Sequence, residues 1–276
     1  MELVVFDLDG TLLNKDSAIS DYTSETLRLL AEHEIAYTVA TGRTLHSARS
    51  VLGGNDFLLP QAYKNGVMTW HPEEKRFTNG AMLTIAELDH VVGAFVRANV
   101  TPFVFTLDKS QGGTVYHPPM TSPIEEELIR NAGLGDNFTV RTLEELPAHA
   151  LITHVNAIGP GDAIETVLQS VESEPHLVAY SGTIRDGRQW RWLDIHHSDA
   201  SKGGAIAEMK ELLGIERVIC FGDSDNDLSM FEMADESYAP ANANELIKAA
   251  ATAVIGHHDE EGIARFLRER FNLTPG

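Results

Sequence analysis

The run LVVFDLDGT at residues 3–11 limits what this chain can become more than any other segment, because an apolar strand leads straight into two carboxylates, Asp7 and Asp9, separated by one residue. An ordinary core has no use for such a pair. In an extended segment alternate side chains share a direction, so both carboxylates are expected to reach one small volume at the strand end while Leu8 packs elsewhere. Two negative charges held together are costly unless a cation or a shared proton offsets them. The arrangement predicts a bound metal ion at the end of a buried strand.

The flanking sequence supplies a sheet for that strand. Helical spacing over DYTSETLRLLAEH is followed by an apolar strand at IAYTVATG, a helix at RTLHSARSVLG and a strand at QAYKNGVMTW. Alternating strands and helices predict an open parallel sheet with right-handed crossovers and helices on both faces. Between Thr84 and Ile184 the pattern changes to neighbouring strands (TPFVFT, GTVYH, NFTVRT, ALITHVNAIG, HLVAY) with interspersed helices, one of them at SPIEEELIRNAG over residues 122–133. The parallel pattern then resumes with a helix at SKGGAIAEMKELLG, the strand ERVICFGDS, a helix at DLSMFEMA and the strand TAVIG. The expected architecture is an α/β chain: a doubly wound, Rossmann-like parallel core from residues 1–83 and 185–276, with an α+β domain inserted at 84–184.

A length of 276 residues with 43% hydrophobic content supports ordinary globular cores. Against 21 lysines and arginines stand 41 aspartates and glutamates, a formal charge of −20, so the long-range field repels nucleic acid and anionic membranes. An anionic substrate must be met by local cations. The single cysteine, Cys220, lies within VICF, which excludes an intramolecular disulfide and fits a reducing compartment. With no basic leader pattern and no apolar stretch approaching about 18 residues, the expectation is a soluble, cytoplasmic protein.

Four clusters fall at strand ends or helix starts, where ligands bind on open α/β sheets. The first is FDLDGT. In the second, TGR, Thr41 offers a hydroxyl beside the exposed backbone of Gly42. The third is Lys202, whose charge opposes the positive end of the helix it opens, a balance that a bound phosphate would reverse. The fourth is GDSDND, in which Asp225 is the best candidate to cap the following helix and Asp223 the better metal ligand. Carboxylates with water suit a hard divalent ion, and Mg2+ is the natural choice.

FDLDGT, VATGR, Lys202 and GDSDNDLSM resemble, in that order, the four motifs of the haloacid dehalogenase-like hydrolase superfamily, and the likeness covers nearly the whole chain. The insert between TGR and Lys202 is similar in place to that of the C2-cap (type IIB) group, which includes Cof-like sugar phosphatases, sucrose phosphatase and phosphomannomutase; KNGV also resembles a strand found there. The resemblance implies that Asp7 attacks phosphorus to give an aspartyl-phosphate, and that Asp9 protonates the leaving alcohol and then activates water. It further implies that Mg2+ is held by the Asp7 side chain, the Asp9 backbone carbonyl and Asp223, with Asp227 acting through water or outer contacts. Thr41, Lys202 and backbone amides such as that of Gly42 would hold phosphoryl oxygens. The implied partner is a small phosphorylated metabolite, selected by the inserted domain; nothing in the sequence indicates an oligomeric state.

Several residues keep two readings open. Arg43 is placed to reach a phosphate or substrate hydroxyl, or equally to point to solvent. Asn226 either lines the phosphate site or shapes its turn. The pairs His196-His197 and His257-His258 read as surface or loop residues, since neighbours on a strand face opposite ways. Trp190 and Trp192 share one strand face and read as packing. The same core residues also serve a phosphomutase, in which the phosphoryl group returns to a sugar. A receiver-like signalling module shares the aspartates, threonine and lysine but needs neither Asp9 nor an insert.

Overall fold

The computed structural model describes residues 2–107, 113–120, 122–126, 138–184 and 189–274. The chain divides into two compact units, one made of Met1–Gly80 with Ser201–Gly276 and the other of Ala81–Ala200.

The first unit holds a five-stranded parallel sheet in the order β14-β13-β12-β1-β2. Its strands are β1 (Glu2–Phe6), β2 (Ala36–Val39), β12 (Arg217–Phe221), β13 (Glu236–Pro240) and β14 (Ala253–Ile255). Both faces are covered, as the unbroken apolar runs of β1 and β12 require. Val4, Phe6, Ile219 and Phe221 pack with Leu27 and Leu30 of α1 (Asp21–Glu32), Ala48 and Leu52 of α2 (Leu45–Leu52), and a helix at Gly262–Arg270. Leu3, Val5, Val218 and Cys220 face the other way, against helices at Lys202–Leu213, Leu228–Met233 and Glu245–Ala250. The doubly wound architecture expected from the sequence is present.

The segment QAYKNGVMTW is not one strand of that sheet. It splits into β3 (Gln61–Tyr63) and β4 (Met68–His71), which form a separate three-stranded antiparallel sheet with β5 (Arg76–Asn79). Lys64, Asn65 and Gly66 all have positive φ (48°, 57° and 92°), which turns the chain back on itself. An Asn-Gly pair between apolar runs is the sequence sign of such a turn. At Gly66 a side chain is excluded outright, because a Cβ there would overlap the carbonyl of Ser201.

The second unit is built on a six-stranded sheet, β10-β11-β9-β6-β7-β8. The strands are β6 (Phe103–Leu107), β7 (Gly113–His117), β8 (Phe138–Thr142), β9 (Leu151–Pro160), β10 (Leu177–Thr183) and β11 (Trp190–His197), antiparallel except for the β7–β8 pair. Leu88, Val91 and Phe95 of α3 (Ile85–Arg97) and Ile164 and Val167 of α4 (Gly161–Val171) pack against Val104, Val155, Leu193 and Ile195 on one face. Thr84 and Glu87 cap α3 reciprocally. The expected boundary at 184 is corrected to Ala200, because β11 pairs with β10 and β9 and so belongs to this unit. The helix expected over 122–133 lies largely outside the described residues. The later helices are α5 (Lys202–Leu213), α6 (Leu228–Met233), α7 (Glu245–Ala250) and α8 (Gly262–Arg270). Among the described residues, no helix is long and apolar enough to cross a membrane.

Candidate active site

β1 ends at Phe6, and Asp7 adds one more rung to the parallel ladder by donating its N–H to Phe221 O at 2.9 Å. The chain then leaves the strand in a wide turn, with Leu12 N donating to Asp7 O and Leu13 N to Leu8 O. Gly10 takes a φ of +74° in this turn, and a Cβ there would overlap the Asp223 carboxylate. The backbone of the first motif is thus pressed against the side chain of the fourth.

Lys202, the first residue of α5, is fully buried. Its ammonium donates to Asp7 Oδ1 at 2.5 Å and to Asp227 Oδ1 at 2.6 Å. The anion that offsets a cation at this helix start is therefore a pair of carboxylates belonging to the chain. Burial disfavours the Lys202 charge, yet Asp227 and Asp7 outweigh it and hold the ammonium protonated. Burial drives Asp7 well above the ordinary carboxyl range against the pull of Lys202, and Asp227 and Asp223 add to the rise.

Asp227 is also fully buried, and its second oxygen accepts the N–H groups of Asp223 (2.8 Å) and Ser224 (3.0 Å). The N-cap position of the helix at Leu228–Met233 is Asp227 and not, as expected, Asp225, which instead accepts from Asn244 at 2.7 Å. Asp223 Oδ1 accepts from Ser224 Oγ at 3.0 Å and Thr11 Oγ1 at 3.4 Å. Burial, then the charge of Asp227, pushes the Asp223 carboxyl up to about 6.

Asp7, Asp223 and Asp227 each place a carboxylate oxygen within 4.8 Å of the others. Ionised, with Lys202, they carry a net charge of −2. An all-oxygen donor set with that deficit fits a hard divalent cation.

Asp9 does not join this cluster. The strand ends at Phe6 and Asp9 lies inside the turn closed by Leu12 N to Asp7 O and Leu13 N to Leu8 O, so the alternation expected to align it with Asp7 does not apply. Its half-exposed carboxylate instead receives Arg43 Nε at 2.7 Å and Nη2 at 2.6 Å. Of the two readings of Arg43, neither describes this arrangement. The bond to Asp9 also pushes the pKa of the guanidinium up.

Thr41 is buried at the end of β2, where its Oγ1 accepts from Arg43 N at 3.1 Å, a contact that leaves the O–H proton for another acceptor. Asn65 donates its N–H to Thr41 O at 3.0 Å, and its Oδ1 accepts from Asn226 Nδ2 at 2.9 Å. A Cβ on Gly42 would come within 3.2 Å of that same Oδ1. Asn65 therefore ties the second and fourth motifs together, and the Asn-Gly turn signal was the clue to it. Asn242 was not legible: its Nδ2 donates to Gly10 O at 2.7 Å from far along the chain.

His258 supports the first turn, with Nδ1 2.8 Å from Leu13 O. His257, His258 and Asp259 form a second group within 4.8 Å, but in a loop where His257 Nδ1 accepts from Asp259 N and Asp259 Oδ1 accepts from Lys15 N. His196 and Trp192 lie on the second unit's sheet, Trp192 lying against Gly182.

The profile of the haloacid dehalogenase-like hydrolases matches residues 4–267. A Bacillus subtilis protein named 5-amino-6-(5-phospho-D-ribitylamino)uracil phosphatase YitU is 28% identical over 283 residues, covering 98% of each chain. A protein of Haemophilus influenzae bearing a phosphatase name is 38% identical over 280 residues, 97% of each chain. Among solved structures, a haloacid dehalogenase-like hydrolase from B. subtilis has the same fold, with a TM-score of 0.76 at 23% identity over 97% of this chain and 99% of that one. With its motifs gathered at the ends of a parallel sheet and its sequence matched nearly end to end, the chain belongs to the haloacid dehalogenase-like hydrolases, an enzyme family of phosphatases.

Proposed function

We propose that the protein is a Mg2+-dependent phosphatase that hydrolyses a small phosphorylated metabolite, a sugar phosphate or similar phosphomonoester, through an aspartyl-phosphate on Asp7. The observation that carries this reading is the buried cluster of Asp7, Lys202 and Asp227 beside Asp223, four groups that together, with the carboxylates ionised, lack two positive charges. Asp7, the Asp9 backbone carbonyl and Asp223 would hold Mg2+, with Asp227 outside the ligand set, and the ion would draw negative charge from the phosphoryl oxygens. Lys202 orients the Asp7 carboxylate. Asp7 bonds to phosphorus as the ester bond breaks, and the Asp9 proton passes to the leaving oxygen. Asp9 then takes a proton from water, whose oxygen displaces Asp7 and releases inorganic phosphate. Thr41, Lys202 and the amide of Gly42 hold phosphoryl oxygens, with Asn226 shaping that side through Asn65. Positioning and charge neutralisation supply most of the acceleration.

The inserted unit selects the alcohol part of the substrate, and the name of the B. subtilis relative, a phosphorylated ribityl compound's phosphatase, favours polyol and sugar esters. A cytoplasmic location accords with the single buried cysteine. Phosphate release with Mg2+ across sugar phosphates, polyol phosphates and nucleotides tests the reading. At least one ester is hydrolysed, and Asp7→Asn lowers that rate by at least about 10³-fold while the fold persists. Silence across the whole panel overturns the phosphatase, an isomeric sugar phosphate as product points to a mutase, and an active Asp7→Asn removes the nucleophile.

A further inference from the structure

Arg43 lies in the loop between β2 and α2, and its backbone is tied on both sides: its N–H donates to Thr41 Oγ1 at 3.1 Å and its carbonyl accepts from Lys64 N at 3.0 Å. The guanidinium is equally committed. Nε and Nη2 meet the two oxygens of Asp9 at 2.7 and 2.6 Å, and Nη1 lies 3.4 Å from the carbonyl and 3.3 Å from the hydroxyl of Ser47, one turn into α2. A planar fork that engages both oxygens fixes the plane of a carboxyl group, which a point charge does not. Asp9 needs that help, since its side chain is 56% exposed and, among the described residues, accepts no other hydrogen bond. A carboxylate has about four lone-pair sites and the fork takes one on each oxygen, so sites remain for a proton. To grip a phosphoryl group with the same fork, Arg43 would have to release Asp9.

We propose that Arg43 is a positioning residue that acts through Asp9, holding the plane of its carboxyl for proton transfer to and from the substrate, and that it does not bind the phosphoryl group. The inference rests on the phosphatase reading above. It has a chemical signature. As the ester bond breaks, the proton moves from Asp9 to the leaving oxygen, which matters for a basic alkoxide and little for a stabilised phenolate. A phosphate ligand, by contrast, serves both kinds of ester equally.

The test compares wild type, Arg43→Ala and Arg43→Lys, with Mg2+, on an alkyl phosphomonoester that the wild type hydrolyses and on 4-nitrophenyl phosphate. Calorimetry of inorganic phosphate binding gives a readout apart from turnover. Because Asp9 also serves the water step that both esters share, the losses are read in kcat/KM, which covers only the steps through departure of the alcohol. The expected result for Arg43→Ala is a fall of roughly 10²-fold on the alkyl ester and less than about tenfold on the aryl ester. Arg43→Lys keeps the charge, loses the fork and stays closer to Arg43→Ala than to wild type. Phosphate affinity stays within about threefold of wild type in both variants. Equal losses on both esters, a marked loss of phosphate affinity, or full recovery by lysine overturns the proposal. A wild type that releases phosphate from no ester of the panel, and none from 4-nitrophenyl phosphate, overturns the phosphatase reading itself.

Discussion

In the unit built from both ends of the chain, Asp7, Lys202 and Asp227 are buried beyond the ends of parallel strands, while in the inserted unit Thr106, Thr153, His154, Asp194 and His196 are buried along the strands themselves. Lys202 and Asp227 are both fully buried and bonded to each other at 2.6 Å. In the inserted unit α3 and α4 cover one sheet face, and strand alternation sends Phe103, Phe105, His154, Asp194 and His196, all buried, to the other. Phe105 and His154 stack there at 4.3 Å between centroids. A charge cluster at strand ends commits one unit to a single chemistry. A face of rings and mixed polar groups drawn from several strands can change one residue at a time without touching that chemistry.

Lys202→Met is the harshest trial of this contrast. It leaves Asp7 and Asp227 buried without their shared cation, and breaking a buried pair in this way costs about 3–5 kcal/mol. Glu165→Gln in the inserted unit breaks the exposed ion pair with Arg191 (3.1 Å) and should scarcely move the same denaturant midpoint. Comparable losses in the two variants would mean that the units do not differ in how they use charge. If the inserted unit selects the substrate, Trp192→Ala on the face opposite the helices shifts the ratio of kcat/KM between bulky and small esters, by about 10- to 100-fold. A uniform loss on every ester would instead assign Trp192 to packing.

The smallest effect sharpens the account of the charged unit. Asp223 has its carboxyl raised from 3.8 to about 6, first by burial and then by Asp227. Holding a cation requires the ionised form, so Mg2+ affinity rises with pH up to about 6, by at most about tenfold per pH unit, and levels above it. Without the ion the sign reverses: the folded chain holds this proton more tightly than the unfolded one. The group's contribution to stability is therefore full below 3.8 and is lost as pH rises to about 6. Calorimetric titration with Mg2+ at pH 5 and pH 7 measures the first trend, and equal affinities at the two would remove Asp223 from the ligand set.

Legibility in the sequence followed the range of the interactions. β1 and β12 were plain because strands buried on both faces need unbroken apolar runs, and Lys202 stood out because its charge is misplaced for an unoccupied helix start. β13, with Glu236 and Ser237 at its start and Pro240 at its end, carries no such run. Its place in the sheet is set by pairing with β12 and β14. The six-residue helix α7 gave little periodicity and was not legible, whereas α6, just as short, was legible in DLSMFEMA. Arg43 and Asp9 are 34 positions apart, and no local pattern announces that one will clasp the other.

The turn at Lys64–Gly66 has an engineering consequence. Gly80, the last residue before the insertion, donates its N–H to Val67 O at 2.8 Å, and Ser201, the first after it, packs its carbonyl where a Gly66 side chain would stand. Departure and return are fastened to one short stretch. The segment between them is a detachable cassette: grafting a different one needs only a brief splice, whose closure entropy grows slowly with its length. Any residue larger than glycine at position 66 would pry open the clasp that makes such exchange cheap.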